Sequence, residues 1–600
     1  MKNPSNGEPN QPSAEPAHAS QTRGDQSPSK TDSEPSGVDI EPPSVRNEPG
    51  VIAGETIEPL AATAEFPVPT AATRIETSTA RSAFSVGSGI LISRIIGLVR
   101  QRVFAHYFGT SAAGDAFSAA FRIPNFLQNV FGEGALSASF IPVYAKLLAH
   151  DDQREASHVA NAVFGLLALS TSLVVLVGVL TSPYLIDLIA PGFEGERREL
   201  TIRLVRILFP GAGLLVLSAW CLGILNSHHR FFISYIAPVA WNLAIIASLI
   251  GFGSRVGQFP LAEAVAWGAV IGSALQFGVQ LPTVWKLIQH LRPTVDLASV
   301  HVRKVVTNFL PVLTSRGVIQ ISAFVDEIIA SFLPIGAVVS LTYAQSLYTL
   351  PVSLFGMSVS AAELPAMARA LGTDEEVAQV LRRRLDSGLR RIAFFIVPSA
   401  MAFFAFGDVI AAVLYQTGQF DSSAADYVWG ILAGSGIGLL AATLGRLYSS
   451  TYYALHDTRT PLRYAIIHVA VATVLGYFSA LHLPSAIGIH PKWGVIGLTA
   501  SASLAAWIEV VLLRRTLNRR IGRTGLPFAF TGKLVFAAIA GAALGWGFKI
   551  VMGQAHPLPM AIVVLGAYGV TYFGITSALG VTEAREVIVR LFRLPKSLKR

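Results

Sequence analysis

Apolar residues gather into fourteen stretches, each of about twenty positions or more, with short polar connections between them. A hydrocarbon core of about 30 Å is crossed by about 20 apolar residues in a helix, so each stretch predicts one crossing. The windows fall near 83–104, 113–147, 160–182, 202–226, 231–252, 261–288 and 305–333. They continue near 338–368, 391–415, 427–454, 462–482, 493–514, 532–552 and 558–580. Several hold helix breakers, such as Pro124, Gly132 and Gly134 in the second. Such breaks persist in a bilayer where neighbouring helices or a wet cavity satisfy the released backbone groups.

The connections alternate in charge. Even-numbered ones carry Lys146 and Arg154, then Arg230, then Arg292, Arg303 and Lys304, then Arg382 to Arg384, then Arg459 and Arg463, then Arg514 to Arg523. Odd-numbered ones are nearly free of basic residues. Basic loops stay in the cytoplasm, so both termini are expected there, in a multi-pass protein of the bacterial cytoplasmic (inner) membrane.

The windows also repeat. Val103–Phe108 resembles Ile328–Leu333 at an offset of 225, Phe131-Gly132 matches Phe355-Gly356, and Pro142–Lys146 matches Pro365–Arg369. Pro191–Phe193 has its counterpart in Gly418–Phe420. Six helices per unit is an even number, which gives both copies one orientation. The expected fold is an all-α polytopic membrane protein of about fourteen transmembrane helices. It has two six-helix lobes in a parallel pseudo-two-fold repeat and two appended C-terminal helices, with a substrate site between the lobes. The expected segments are a disordered cytoplasmic tail over 1–80, lobes over 81–290 and 300–525, appended helices over 530–582, and a basic cytoplasmic tail over 583–600.

Composition agrees: of 600 residues, 52% are hydrophobic and 14% charged, where soluble chains carry about 25% charged residues. Charge is unevenly placed, at −7 over residues 1–80 and +16 over the remainder. The first segment has no apolar periodicity and cannot offset its chain entropy by burial. A lone Cys221 excludes a disulfide framework and a cysteine-based zinc site. No phosphate-binding loop, HExxH or nucleophile elbow occurs, so a transporter is expected rather than an enzyme.

Ionisable groups within membrane helices cost about 2.5–3.5 kcal/mol each on insertion scales and persist where they face a cavity or a partner. Here they are Arg94, Arg100, Arg102, Asp115, Arg122, Glu133, Arg316, Asp326, Glu327, Glu363 and Arg446. Arg94 and Arg100 lie about 120° apart on a helix but can reach one wide cavity. Guanidinium groups pair bidentately with phosphate oxygens, so these two are the leading anion ligands. Arg102 is expected to snorkel to an interface. Asp326, Glu327 and Glu363 either bind a monovalent coupling cation or neutralise arginines.

The run Ser93-Arg-Ile-Ile-Gly-Leu-Val-Arg100, then Phe108-Gly109, Asp115-Ala-Phe117, Pro124-Asn125, Phe131-Gly-Glu-Gly-Ala135 and Phe140-Ile-Pro142, resembles the signature of the MviN/MurJ lipid II flippases. The segments Ala330–Pro334, Tyr343-Ala344, Leu350-Pro351 and Leu364-Pro365 are similar to it in the second lobe. The resemblance spans about residues 83–580. It implies a fourteen-helix flippase of the multidrug/oligosaccharidyl-lipid/polysaccharide exporter superfamily that moves undecaprenyl-pyrophosphate-linked peptidoglycan precursor to the outer leaflet. It further implies substrate-binding roles for Arg94, Arg100, Asp115 and Glu133. Gln101, Gln128, Asn129, Gln345 and Ser346 stand where the family often carries charge, so Arg122, Arg316 or Arg446 would have to compensate. The expected partners are that lipid and the membrane, with cell-wall synthesis enzymes as further candidates and no nucleic acid. No cofactor is expected; a monovalent cation or the membrane potential would supply the drive. The alternatives are another prenyl-linked glycan or a small cation as cargo, or a non-transporting scaffold for envelope enzymes.

Overall fold

A computed structural model describes residues 71–289, 291–370, 372–553 and 555–592. Most of the acidic tail, and the basic C-terminal tip, therefore lie outside the described residues.

The first half comprises α1 (Ala71–Phe108), α2 (Ala112–Leu127), α3 (Ser137–Ala149), α4 (Gln153–Leu180), α5 (Ser182–Ile189), α6 (Gly195–Ser227), α7 (Phe231–Phe252) and α8 (Gln258–Leu287). The second comprises α9 (Val300–Ser331), α10 (Ala337–Pro351), α11 (Ser358–Ala368), α12 (Asp374–Tyr415), α13 (Ser422–Ala454), α14 (Arg459–Tyr477), α15 (Leu483–Ala486) and α16 (Gly494–Ile521). Then come α17 (Phe528–Met552), α18 (Pro557–Ala578) and α19 (Thr582–Phe592). All fourteen apolar windows coincide with helix. Among the described residues, eleven helices are long and apolar enough to cross a membrane. The windows at 83–104, 113–147 and 305–333 fall on α1, on α2 with α3, and on α9. Helix begins at Ala71, ahead of the expected boundary at 81.

The two halves use the same interruptions. A π-helical stretch, Gln128–Leu136, joins α2 to α3, and another, Val352–Met357, joins α10 to α11. Pro124 and Pro351 precede them, and Gly132, Gly134 and Gly356 lie within them. Proline removes a backbone donor and glycine adds little packing, so the wider turn is tolerated there. Packing repeats too: α6 lies on α8, α4 and α2, while α13 lies on α16, α12 and α10. The largest cluster of buried apolar side chains draws on both halves, from Phe104 and Phe117 to Tyr343, Tyr415 and Tyr448.

The appended helices rest on α12, and the attachment follows from its proline. Pro398 has no N–H, so the carbonyl of Phe394, four residues earlier, lacks an intrahelical partner. Tyr572 of α18 donates its hydroxyl to that carbonyl at 2.6 Å. Tyr568 donates to Pro398 O at 2.7 Å, and Trp546 of α17 to Ala405 O at 3.2 Å, beside the non-helical Phe406. Large apolar side chains such as Phe528, Val551 and Val570 remain on the outside, as a lipid-facing surface requires.

Candidate functional site

α1, α2, α7, α8, α9 and α10 enclose a cavity of about 660 Å³ between the halves. Arg94, Arg100 and Arg122 all line it. Arg94 and Arg100 lie six positions apart on α1, and the cavity is wide enough to receive both. Arg100 sits over the rings of Phe121 and Trp241, at 5.5 and 5.4 Å from their centroids. Those rings stack on each other at 5.3 Å, which fixes the guanidinium against an aromatic wall. Among the described residues, no carboxylate pairs with Arg94 or Arg100. Arg122 is held by contacts with the second half. Its Nε lies 2.5 Å from Oε2 of Glu327, and its Nη2 donates to Gln345 Oε1 at 3.0 Å.

The positions where this sequence departs from the signature line the same cavity: Gln101, Gln128, Asn129, Gln345 and Ser346. The wall is therefore more neutral than a fully charged one, with its positive charge concentrated on the first half. Asn125, from the Pro124-Asn125 motif, lines it as well, as do Asn242 and Gln276, which had no signal in the sequence because a neutral amide in an apolar helix violates no rule. Gln276 donates to Ser218 at 3.0 Å, which ties α8 to α6 behind the wall.

Asp115 does not line the cavity, contrary to the substrate-binding role expected of it. Its carboxylate is fully buried and accepts from the backbone N–H groups of Gly336, at 2.7 Å, and Val339, at 2.9 Å. These donors lie at the N-terminus of α10, where the first amides of a helix have no internal acceptor. Gly336 has φ +94°, a conformation glycine adopts without a Cβ penalty. Arg197 adds Nη1 to Asp115 at 3.4 Å and gives Nη2 to Gly192 O at 3.0 Å. Asp115 is thus a cap delivered from one half to a helix of the other.

More contacts join the halves at this end. Tyr343 donates to Gly109 O at 3.0 Å, and His106 Nδ1 meets Thr417 Oγ1 at 2.8 Å. Arg102 is exposed and gives Nη1 to Val413 O and Leu414 O at 2.7 and 2.9 Å, closing the C-terminus of α12. Along α1 the cavity residues come first and the latch residues follow. Along α2 and α10 that order reverses. The latch therefore seals the end of the cavity farther from the start of α1.

The remaining candidates divide. Glu327 is fully buried behind the wall, and Asp326 is half-buried; neither lines the cavity. Glu363 is buried on α11, away from the cavity, with Arg384 at 3.4 Å and Arg391 at 3.6 Å, so the neutralising alternative describes its surroundings. Arg446 is exposed and also absent from the wall. The side chains of Glu133 and Arg316 lie outside the described residues. Among the described residues, no group of three or more His, Cys, Asp or Glu side chains could hold a metal ion.

The sequence profile of the lipid II flippase MurJ family matches residues 104–566, most of the chain. The chain belongs to that family. A probable lipid II flippase MurJ of Rhizobium tropici is 32% identical over 77% of this chain and 85% of its own length. The lipid II flippase MurJ of Burkholderia cenocepacia is 30% identical over 83% of this chain and 97% of its own. In fold, the chain is similar to a solved lipid II flippase MurJ in an inward closed conformation, at a TM-score of 0.68 and 24% identity, over 82% of this chain and 99% of that one. An inward-facing multidrug transporter of the MATE family, in the MOP superfamily, matches at 0.57 and 16% identity over 73% of this chain. The all-helical, multi-pass architecture and membership of a transporter family stand together; this MurJ-family chain is a membrane transporter and not an enzyme.

Proposed function

We propose that this MurJ-family chain carries lipid II, the undecaprenyl-pyrophosphate-linked peptidoglycan precursor, from the cytoplasmic to the outer leaflet by alternating access. One observation carries the reading: Arg94 and Arg100 share a cavity in which no described carboxylate pairs with them. Two such guanidinium groups call for an anion, and a diphosphate offers both charge and bidentate geometry. The prenyl tail stays in lipid between helices, and the cavity holds the head group. The protein sits in the inner membrane with both termini cytoplasmic, so the cavity faces the cytoplasm and the latch faces outward. An inside-negative potential favours outward passage of an anion by about 2.3 kcal/mol per charge per 100 mV, which gives a drive without ATP. Asp326 and Glu327 are the groups from which a coupling cation would be sought.

The test is rescue of bacteria depleted of their own lipid II flippase. The wild-type chain restores growth, and Arg94→Ala and Arg100→Ala abolish rescue at equal membrane expression. Failure of the wild-type chain despite good expression overturns the cargo. It would favour the second reading, a different prenyl-linked glycan, for which the neutral Gln128, Gln345 and Ser346 on the wall are the supporting observation.

A further inference from the structure

The three arginines of the cavity all come from the first half. Among the described residues, the second half contributes Phe324, Thr342, Gln345, Ser346, Thr349 and Leu350, and none of them carries charge. The four polar ones belong to α10. Their spacing puts them on one face of the helix, over about 10 Å of its length. Leu341, Ala344 and Leu347, turned away from that face, are buried in the core.

The hydroxyls of this row are already committed. Thr342 donates to Val338 O at 3.1 Å, Ser346 to Thr342 O at 2.9 Å and Thr349 to Gln345 O at 2.8 Å. A hydroxyl has one proton to give, so what each presents to the cavity is lone pairs. Gln345 is fixed differently. Arginine only donates, so the amide oxygen faces Arg122, at 3.0 Å, and the amide NH2 is the end left for the cavity. A row of three acceptors and one donor offers little to a diphosphate, whose oxygens accept and do not donate. It suits a neutral group rich in O–H and N–H donors.

We propose that this face of α10 is a saccharide subsite, which takes the uncharged, hydroxyl- and amide-bearing sugar next to the diphosphate while Arg94 and Arg100 take the diphosphate itself. This rests on reading the cavity as a diphosphate site. The division of labour orients the head group, with phosphates toward α1 and sugar toward α10. The reverse orientation would set anionic oxygens against hydroxyl lone pairs and leave the guanidinium groups facing neutral hydroxyls, a mismatch on both walls. Selectivity follows from the same rule, because a site built to hydrogen-bond a ligand O–H or N–H rejects a ligand that lacks it. A sugar-bearing lipid therefore engages both halves of the molecule, and a bare prenyl diphosphate engages chiefly the first.

The experiment compares two probes of equal charge on the purified full chain in nanodiscs. One is farnesyl diphosphate capped with N-acetylglucosamine on its terminal phosphate, and the other is farnesyl diphosphate capped there with a methyl group. The wild-type chain is expected to bind the sugar-bearing probe about tenfold more tightly, as a few ordinary hydrogen bonds would give. Thr342→Val/Thr349→Val keeps the shape of both side chains but removes both hydroxyls, and should erase most of that preference by weakening the sugar-bearing probe alone. Thr342→Ser/Thr349→Ser retains the hydroxyls and should retain the preference. If the double valine variant fails to fold, Thr349→Val at the exposed end of the row carries the test, with an expected loss of about threefold. Equal binding of the two probes by the wild-type chain, or a preference that survives the valine substitutions, overturns the subsite. Arg100→Ala separates the two levels. If it weakens both probes while the sugar preference is absent, the subsite alone falls. If it affects neither probe, the diphosphate reading falls as well.

Discussion

Asp115 Oδ2 accepts the backbone N–H of Gly336 at 2.7 Å, across 221 positions of sequence and from one half of the molecule to the other. A carboxylate in this place serves a helix terminus, and its geometry leaves no side open to cargo. Asp115→Ala should cost about 3–5 kcal/mol, because Arg197 and the α10 amides lose a buried charged partner. Spin labels at the exposed Glu194 and Ile335 should report a new, longer distance as the sealed end opens. An unchanged distance distribution would remove the latch role.

Arg100→Lys keeps the charge at the aromatic wall but replaces a planar fork with a point charge. Transport should fall by about tenfold or more, equivalent to about 1.4 kcal/mol, since bidentate pairing is lost. Transport of fluorescent lipid II into proteoliposomes measures it, and full activity in the lysine variant would show that charge alone suffices.

Tyr572→Phe removes one oxygen from the α12–α18 contact and leaves Phe394 O without a partner. The expected loss is about 1–3 kcal/mol in unfolding free energy with transport by the folded fraction intact. Chemical unfolding followed by transport assays at matched folded protein would check both halves of that statement.

Glu583 of α19 lies 2.7 Å from Arg390 of α12. Burial acts to raise its carboxyl pKa, but the Arg390 hydrogen bond and neighbouring donors outweigh it and hold the group below the usual value. A depressed carboxylate pKa contributes stability above the unfolded value, about 4.3, and that contribution is lost as pH falls through the lower folded value. α19 should therefore stay docked at neutral pH and detach in acid. A spin label at the exposed Arg585 should become mobile only as pH falls below the usual carboxylate range, and Glu583→Gln should make it mobile at neutral pH.

The sequence made the helices and the arginine cavity legible for one reason: a bilayer penalises charge and rewards long apolar runs so heavily that few residues escape the pattern. Arg94, Arg100 and Arg122 stood out on that ground, and all three line one cavity. Asp115 stood out equally, but a buried acid looks the same in sequence whether its partners are a ligand or, as the structure shows, distant amides. The acceptors of Arg102, the carbonyls of Val413 and Leu414, lie more than 300 positions away and were invisible in the local sequence. The prolines and glycines announced breaks in α2 and α10 but not the π-helical form that the breaks take. The amides of Asn242 and Gln276 carried no signal, since neutral polar groups are cheap enough to occur anywhere.

The docking of α17 and α18 on α12 is addressed in part to carbonyl oxygens, which every amino acid supplies alike. Residues along that side of α12 can consequently drift in identity without unseating the hairpin. Pro398 and Tyr572 cannot drift separately, since one exposes the oxygen that the other covers. Across descendants of this chain, loss of the proline would relieve the demand for the hydroxyl, and the two positions should change as a pair.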